Sequence, residues 1–262
     1  MRTTNYALYS WQELQELAKD EPVVFVPLGA VEPHGPQLPT GADYLVAEHL
    51  AHEAAKVTNS LVLPTLPFGY CDTVRDTPGT ITLEPATLTA LMEDVLTSLA
   101  HHGFKRIIIV NNHRSNAAIL GSICRHIRQR HKIEIATFFP WGTIIATGQD
   151  LYEDFGSVFG HGGEPETSVM SYLTPDHIRM DLAKDDQYGT VWGQTASGSS
   201  GITFKGAPID VYLQAEEVSD TGTRGKPSVY SPERGEQLVT RALNVLIEFT
   251  ELFKTVEPLK VR

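Results

Sequence analysis

The sequence has 262 residues and a formal net charge of −11 at neutral pH, and 41% of its residues are hydrophobic. A chain of this length buries roughly 70–75% of the surface that it exposes when unfolded, so one large domain over residues 1–262 is expected and a disordered chain is excluded. Nucleic acids and anionic membrane surfaces attract proteins with excess Lys and Arg, so the acidic balance excludes both as expected partners.

The hydrophobic pattern predicts strands that alternate with helices along the chain. Apolar residues at three- and four-residue intervals predict helices, and short runs rich in β-branched residues predict buried strands. Such alternation is typical of an α/β domain with a mostly parallel β-sheet flanked by helices on both faces. Residues 143–230 show no sustained period and are expected to form long loops around the site. Predicted helices cover 11–20, 43–57, 84–103, 114–130 and 235–253, and predicted strands cover 22–29, 60–70, 105–112 and 132–140.

The two cysteines are not in a Cys-x-x-Cys motif, and no apolar run approaches the ~18 residues of a membrane helix. The N-terminus also lacks the apolar core of a secretory signal. A cytoplasmic protein is therefore expected.

Ligand-type side chains follow several of the predicted strands. Glu32 and His34 come after the first strand, His113 follows the strand at 105–112, and a later loop carries "HGGEPETS". In open parallel sheets, ligands bind beyond the carboxyl ends of the strands. Carboxylates and imidazoles without a thiolate suit Zn, Mn or Fe with a position open for water, so these residues predict a metal site.

Each ligand-type residue also has a plain structural explanation. Glu32 can cap a helix, and His34 can bond a backbone carbonyl. Asp43 is placed to cap the helix that follows it, and His113 can be a hydrogen-bonded loop histidine. Glu164 and Glu166 can be first-turn carboxylates favoured by a helix dipole. A serine hydrolase and a nucleotide-dependent enzyme are disfavoured, because neither a Gly-x-Ser-x-Gly elbow nor a phosphate-binding glycine loop is present.

The segments "PLGAVEPHGPQLPTGAD", "VNNHRSN" and "HGGEPETS" resemble, in order and spacing, the signature segments of the creatininase (creatinine amidohydrolase) family. "TPGTITL" and "GKPSVYSPERGEQLV" extend the resemblance over most of the chain. It implies a single creatininase-like domain with two divalent metal ions (Zn, Mn or Fe) and a homo-oligomer, commonly a hexamer. The implied enzyme is a metal-dependent amidohydrolase that cleaves a C–N bond of a small amide through a hydroxide between the metals.

The resemblance also implies roles for individual residues. Asp43 would bridge the two metals, Glu32 and His113 would complete one site, and His34 with a further carboxylate would complete the other. That carboxylate is expected to be Glu164, with Glu166 as the second choice. His161 would move a proton to the leaving group. Glu166 and Asn116 are otherwise expected to support the ligands by hydrogen bonds.

Three positions depart from the creatinine-hydrolysing enzymes, whereas Trp141 matches a family tryptophan near the substrate. Ser115 stands where those enzymes have a glutamate ligand, and Arg114 and Ser157 stand where they have aromatic residues. Losing aromatic walls while gaining a guanidinium favours a polar or anionic substrate over creatinine, with Arg114, Ser115 and Trp141 expected to contact it.

Two other functions stay open from the sequence. One is ring-opening C–C hydrolysis of a diketo-inositol-type cyclitol, or deformylation of a formamide. The other is a non-catalytic protein that binds a metal or ligand on the same fold.

Overall fold

The computed structural model of the chain describes residues 1–187, 189–196 and 201–257. Its helices are α1 Trp11–Lys19, α2 Ala42–Thr58, α3 Pro85–His101, α4 Asn116–His131, α5 Pro140–Gly148, α6 Phe155–Val158, α7 Glu166–Leu173 and α8 Pro232–Lys254. Its strands are β1 Val23–Leu28, β2 Leu61–Val62, β3 Arg106–Asn111, β4 Glu134–Phe138, β5 Thr190–Val191, β6 Gln194–Thr195, β7 Gly201–Phe204 and β8 Ala207–Asp210.

The four strands β1 to β4 form one parallel sheet in the order β2-β1-β3-β4. Successive side chains point to opposite faces, so Phe25 and Ile108 enter one core and Val24 and Ile107 enter the other. Helices α2, α5, α7 and α8 cover the first face, and α1, α3 and α4 cover the second. The prediction of a mostly parallel sheet with helices on both faces is confirmed.

The chain leaves β1 towards one edge of the sheet and leaves β3 towards the other edge. This reversal opens a crevice beyond the carboxyl ends of β1 and β3, where open α/β sheets bind ligands. Gly29 lets α2 start close to the end of β1, because a Cβ at Gly29 would lie 2.4 Å from the backbone nitrogen of Tyr44. The fold therefore brings the first turn of α2 to the mouth of the crevice.

Most predicted elements match the observed ones to within a few residues. Ser10 caps α1 in a capping box with Glu13, and Gly103 follows α3 with φ of +90°. The second strand is shorter than predicted, because Pro64 and Pro67 interrupt the run and cannot donate to a ladder.

The prediction of long loops over residues 143–230 is wrong in part. Helix α7 and two antiparallel hairpins, β5 with β6 and β7 with β8, lie in this stretch, and α5 enters it. These elements are too short to show a sustained period in the sequence. Residues 188 and 197–200 of the stretch, and 258–262 of the expected domain, lie outside the described residues. No helix in the described part of the chain is long and apolar enough to cross a membrane.

Candidate metal and catalytic site

Asp43 lies at the centre of a buried polar cluster beyond β1 and β3. It is in the first turn of α2, but its side chain does not cap the helix, since the N-cap residue is Gly41. Its Oδ1 is 3.4 Å from Nε2 of His34, and its Oδ2 is 3.0 Å from Nδ1 of His113. The two oxygens of one carboxylate therefore face two different histidines, as expected of a bridging ligand.

Glu32 approaches the same cluster from the loop after β1. Its Oε1 lies 3.3 Å from Nδ1 of His113 and 3.3 Å from Nε2 of His161. Burial opposes a charge on this carboxyl, but the two histidines hold its pKa well below the usual range. Glu32 is thus held as a carboxylate in the interior.

Glu166 completes the cluster on the side of His34. Its Oε2 lies 3.9 Å from Nε2 of His34 and accepts a hydrogen bond of 2.7 Å from the backbone N–H of Gly162. The loop that carries His161 lies directly against the loop that carries His34, because a Cβ at Gly162 would be 2.7 Å from the carbonyl carbon of His34. This close contact brings the two loops into one site.

A backbone carbonyl orients each of the three histidines. Nδ1 of His34 lies 3.1 Å from the carbonyl oxygen of Glu32, and Nε2 of His113 lies 2.8 Å from that of Tyr70. Nδ1 of His161 lies 3.3 Å from the carbonyl oxygen of Gly222. A carbonyl oxygen can only accept, so these nitrogens carry hydrogen and the opposite nitrogens face the carboxylates.

A nitrogen lone pair and a carboxylate repel each other at these distances unless a proton or a metal ion lies between them. Burial alone would lower the pKa of His34, but Asp43, Glu166 and Glu32 raise it to about 10. Two donors about 2.1 Å from one metal ion are themselves roughly 3.0–3.5 Å apart at common angles. The Asp43–His34 and Asp43–His113 distances of 3.4 and 3.0 Å fit this spacing, so the donor set fits divalent metal ions.

The cluster forms the floor of a cavity of about 700 Å³. His161 and Glu166 reach this cavity, as do Arg114, Ser115 and Trp141, the residues expected to contact a substrate. The β7–β8 hairpin closes part of it, which the sequence pattern did not predict.

Glu164 does not join this cluster, contrary to the sequence-based expectation. Its carboxylate is fully buried, and Oε2 accepts hydrogen bonds from the hydroxyls of Tyr152 at 2.6 Å and Ser168 at 2.5 Å. Arg234 lies 3.4 Å from the same oxygen. Burial raises the pKa of this carboxyl. Glu164 and Glu166 are two residues apart, but Glu164 turns into the protein under α8 while Glu166 faces His34.

Side chains around the cluster hold the ligands in place. Trp141 donates from Nε1 to Oδ1 of Asp43 at 2.7 Å, and Asn112 links the Asp43 carbonyl to the backbone N–H of Trp141. Asn116 bonds the Gly29 carbonyl, Asn111 and the backbone N–H of Tyr70. It therefore supports the ligands through the backbone rather than by direct contact.

Sequence reasoning missed two further residues at the site. Cys71 offers a sulfur within 4.8 Å of ligand atoms of Glu32 and His113, and burial raises the pKa of its thiol. Arg224 lines the cavity, and its backbone N–H donates to the carbonyl of His161 at 2.7 Å. Neither residue lies in a motif that would single it out.

A family model described as creatininase, creatinine amidohydrolase, matches residues 7–250 of the chain. The chain belongs to the creatininase family. The creatinine amidohydrolase of Pseudomonas putida is 27% identical over 88% of this chain and 89% of that protein. The 3-dehydro-scyllo-inosose hydrolase of Thermotoga maritima is 24% identical over 90% of this chain and 78% of that protein. The mycofactocin precursor peptide peptidase of Mycolicibacterium smegmatis is 24% identical over 85% of this chain and 82% of that protein.

Solved creatininase structures share the fold. A creatinine amidohydrolase (creatininase) has a TM-score of 0.81 at 23% identity and covers 98% of this chain and 100% of its own. A creatininase variant of the Zn-Zn type has a TM-score of 0.79 at 25% identity and covers 96% of this chain and 98% of its own. The predicted family is confirmed, and so is a hydrolase, since the creatininase relatives are named as an amidohydrolase, a hydrolase and a peptidase.

Proposed function

We propose that this creatininase-family protein is a divalent-metal-dependent amidohydrolase that cleaves a C–N bond of a small amide. The observation that carries the proposal is the placement of the two Asp43 oxygens, 3.0 and 3.4 Å from nitrogens of two different histidines. Each histidine is anchored through its other nitrogen to a backbone carbonyl. Such anchoring fixes the tautomer and is a common feature of metal-binding histidines.

Glu32, Asp43 and His113 would hold one ion, and His34, Asp43 and Glu166 would hold the other. We choose Glu166 over Glu164 because Glu166 faces His34, whereas three side chains around Glu164 already occupy one of its oxygens. When bound, the two cations would polarise the substrate carbonyl and lower the pKa of a water molecule.

His161 is the proposed proton carrier of the reaction. Its Nδ1–H is held by the Gly222 carbonyl, so Nε2 is the nitrogen free to accept a proton near Glu32. An imidazole at that position can accept a proton from the attacking water and return it to the departing nitrogen. The ring of His161 stacks on that of His34 with centroids 4.5 Å apart, which restricts its rotation.

A second candidate is ring-opening C–C hydrolysis, which the similarity to the Thermotoga maritima hydrolase over 90% of this chain favours. Both reactions begin with attack of water on a carbonyl and end with a proton on the leaving atom. The non-catalytic alternative is disfavoured by His161, because a binding protein needs no proton carrier. A homo-oligomer such as a hexamer, and a cytoplasmic location, stay predictions.

Metal analysis and a substrate panel test the proposal. We expect purified protein loaded with Zn²⁺ or Mn²⁺ to retain about two ions per chain after dialysis, and Asp43→Asn to retain fewer. His161→Ala should keep the metal but lower kcat by about 10²- to 10⁴-fold. The panel is creatinine, an N-formyl amine, a dipeptide and a diketo-inositol.

His126→Ala is the matched control, because His126 is an exposed histidine on α4 away from the cavity. It should keep wild-type kcat on every substrate. Full activity of a metal-free preparation would refute the proposal, and turnover of the diketo-inositol alone would favour the second candidate.

A further inference from the structure

A second cavity of about 440 Å³ adjoins the reaction cavity. Arg114 and Phe139 line both cavities, so the two cavities lie side by side. We refer to the second cavity as the α4 groove, lined on its helical side by Ala117, Leu120, Gly121, Cys124 and Arg125.

The floor of the α4 groove is open and largely apolar, with Asn111 and Thr137 as its uncharged polar residues. Its helical residues recur at three- and four-residue intervals on one face of α4, and Ile135 and Phe138 of β4 form the other side. A Cβ placed on Gly121 would meet no atom within 4 Å, so the space above this glycine is free. An apolar group of a few carbon atoms fits this surface.

The charges of the groove are all positive. Arg114 and Arg125 are its only charged lining residues within the described part of the chain. The nearest acidic residue of β4, Glu134, is bound by Arg128 through hydrogen bonds of 2.9 and 3.1 Å.

The guanidinium groups of Arg114 and Arg125 make no hydrogen bond or ion pair with any described residue. Most other described arginines pair with a carboxylate, for example Arg75 and Arg241. Both guanidinium groups are exposed in one groove of a chain with a net charge of −11, and guanidinium groups match carboxylates and phosphates well.

We propose that the α4 groove is a substrate subsite for an apolar group that carries an anion. The substrate would be a small amide whose reacting carbonyl lies at the Asp43 cluster and whose carboxylate or phosphate binds Arg114, at the junction of the cavities. Its apolar part packs over Gly121, and Arg125 adds a more distant positive charge. This inference rests on the proposed amidohydrolase function and specifies its substrate class.

Matched amides test the anion. N-formylphenylalanine, its phosphonate analogue and N-formyl-2-phenylethylamine share the apolar and reacting groups, but the last has no anion. We expect Arg114→Gln to lower kcat/KM for the preferred anionic amide by about 10- to 100-fold, and for the neutral amide by less than about 3-fold. Arg125→Gln should lower the anionic value by about 2- to 5-fold, because exposed charges act weakly at a distance. The amide with the higher kcat/KM, the carboxylate or the phosphonate, shows which anion the groove prefers.

Binding provides a readout that does not depend on turnover. Calorimetric titration of 3-phenylpropionate into the metal-loaded protein should show at least about 10-fold weaker binding in Arg114→Gln and in Gly121→Leu, which fills the groove. A carboxylate can also bind the metal ions, so the comparison between variants with equal metal content is decisive. Arg130→Gln and Ser122→Leu are the matched controls, since both residues are on α4 outside the groove; both should bind as the wild type does.

The outcomes separate this inference from the proposed function. If the protein hydrolyses all three amides with equal kcat/KM and Arg114→Gln does not change these values, the subsite is overturned and the amidohydrolase function is still supported. Weaker 3-phenylpropionate binding in Arg114→Gln without hydrolysis of any amide would support the subsite and count against the amidohydrolase. A changed molecular mass of Gly121→Leu by light scattering would show that a second copy covers the groove, which would overturn the subsite.

Discussion

The pair Glu164 and Glu166 allows a sharp test of the metal site, because the two carboxylates are close in sequence and lie in different surroundings. Replacing each by glutamine keeps its shape and removes its charge. We expect Glu166→Gln to lose metal and Glu164→Gln to keep it. In the metal-free protein, Glu164→Gln is expected to lower the unfolding free energy more than Glu166→Gln does.

The contacts of Glu164 set the size of its effect on stability. Tyr152, Ser168 and Arg234 all approach one carboxylate oxygen, Oε2, while Oε1 has no hydrogen-bond partner among the described residues. A glutamine can place its amide oxygen at the Oε2 position, so the hydroxyl bonds survive and one buried NH₂ group is left unsatisfied. That costs about 1–3 kcal/mol of unfolding free energy. Glu164→Ala also leaves the partly buried Arg234 without its carboxylate, and about 3–5 kcal/mol is expected.

For Glu166 the change is in metal affinity. Loss of a residue that only supports a ligand costs about 10- to 100-fold in metal affinity, and loss of a ligand should cost at least the upper value, about 2.7 kcal/mol. In the metal-free cluster, Glu166→Gln loses an attraction to protonated His34 and also relieves repulsion from Asp43 and Glu32, while the glutamine oxygen can still accept from the Gly162 N–H. A smaller loss of metal-free stability than for Glu164→Gln is therefore expected.

Competition with a chromophoric chelator measures the metal affinity, and urea unfolding of chelator-treated protein measures the stability. Ser122→Ala, on the exposed side of α4, is a control for both assays. If Glu164→Gln loses the second metal while Glu166→Gln retains both, the proposed ligand set is wrong and Glu164 is the ligand.

Further predictions concern the surroundings of the cluster. Trp141→Phe removes the indole N–H that donates to Asp43, so chelator competition should show about 10- to 100-fold weaker metal binding. His34 has a pKa of about 10 in the metal-free fold against 6.5 normally, so its stabilisation is full below pH 6.5 and is lost as the pH rises through about 10. Metal uptake at neutral pH should therefore release at least one proton per chain. The buffer takes up this proton, so the calorimetric enthalpy of metal binding should change with the ionisation enthalpy of the buffer. An enthalpy that is the same in all buffers would refute this prediction. Gly29→Ala places a Cβ 2.4 Å from the backbone of Tyr44 and should lower the unfolding free energy by about 1–3 kcal/mol. The Cβ of Gly121→Ala meets no atom within 4 Å, so this variant should raise the unfolding free energy by about 1 kcal/mol. Urea midpoints equal to that of the wild type would contradict both predictions.

The family resemblance and the local patterns of the sequence were enough to predict the fold. Periodic apolar residues predicted α3 and α8, because a helix that buries one face must repeat its apolar residues every three or four positions. The runs at β1 and β3 are apolar throughout, as expected for parallel strands covered on both faces. Residues that follow such strands meet at one edge of the sheet, so the sequence alone assigns Glu32 and His113 to a common site.

The roles of Glu164 and Glu166 were not encoded in any local pattern. Both belong to one short segment with the same residue type, and their environments come from distant parts of the chain. Arg234 lies 70 residues after Glu164, and His34 lies far before Glu166.

The same reason applies to the β7–β8 hairpin over the cavity and to the α4 groove, where a helix face and an edge strand enclose a space that neither creates alone. Local sequence therefore determined the elements and the ends of the strands. Only tertiary packing decided which side chains at those ends point into the site, because burial and charge partners depend on contacts between residues far apart in the chain.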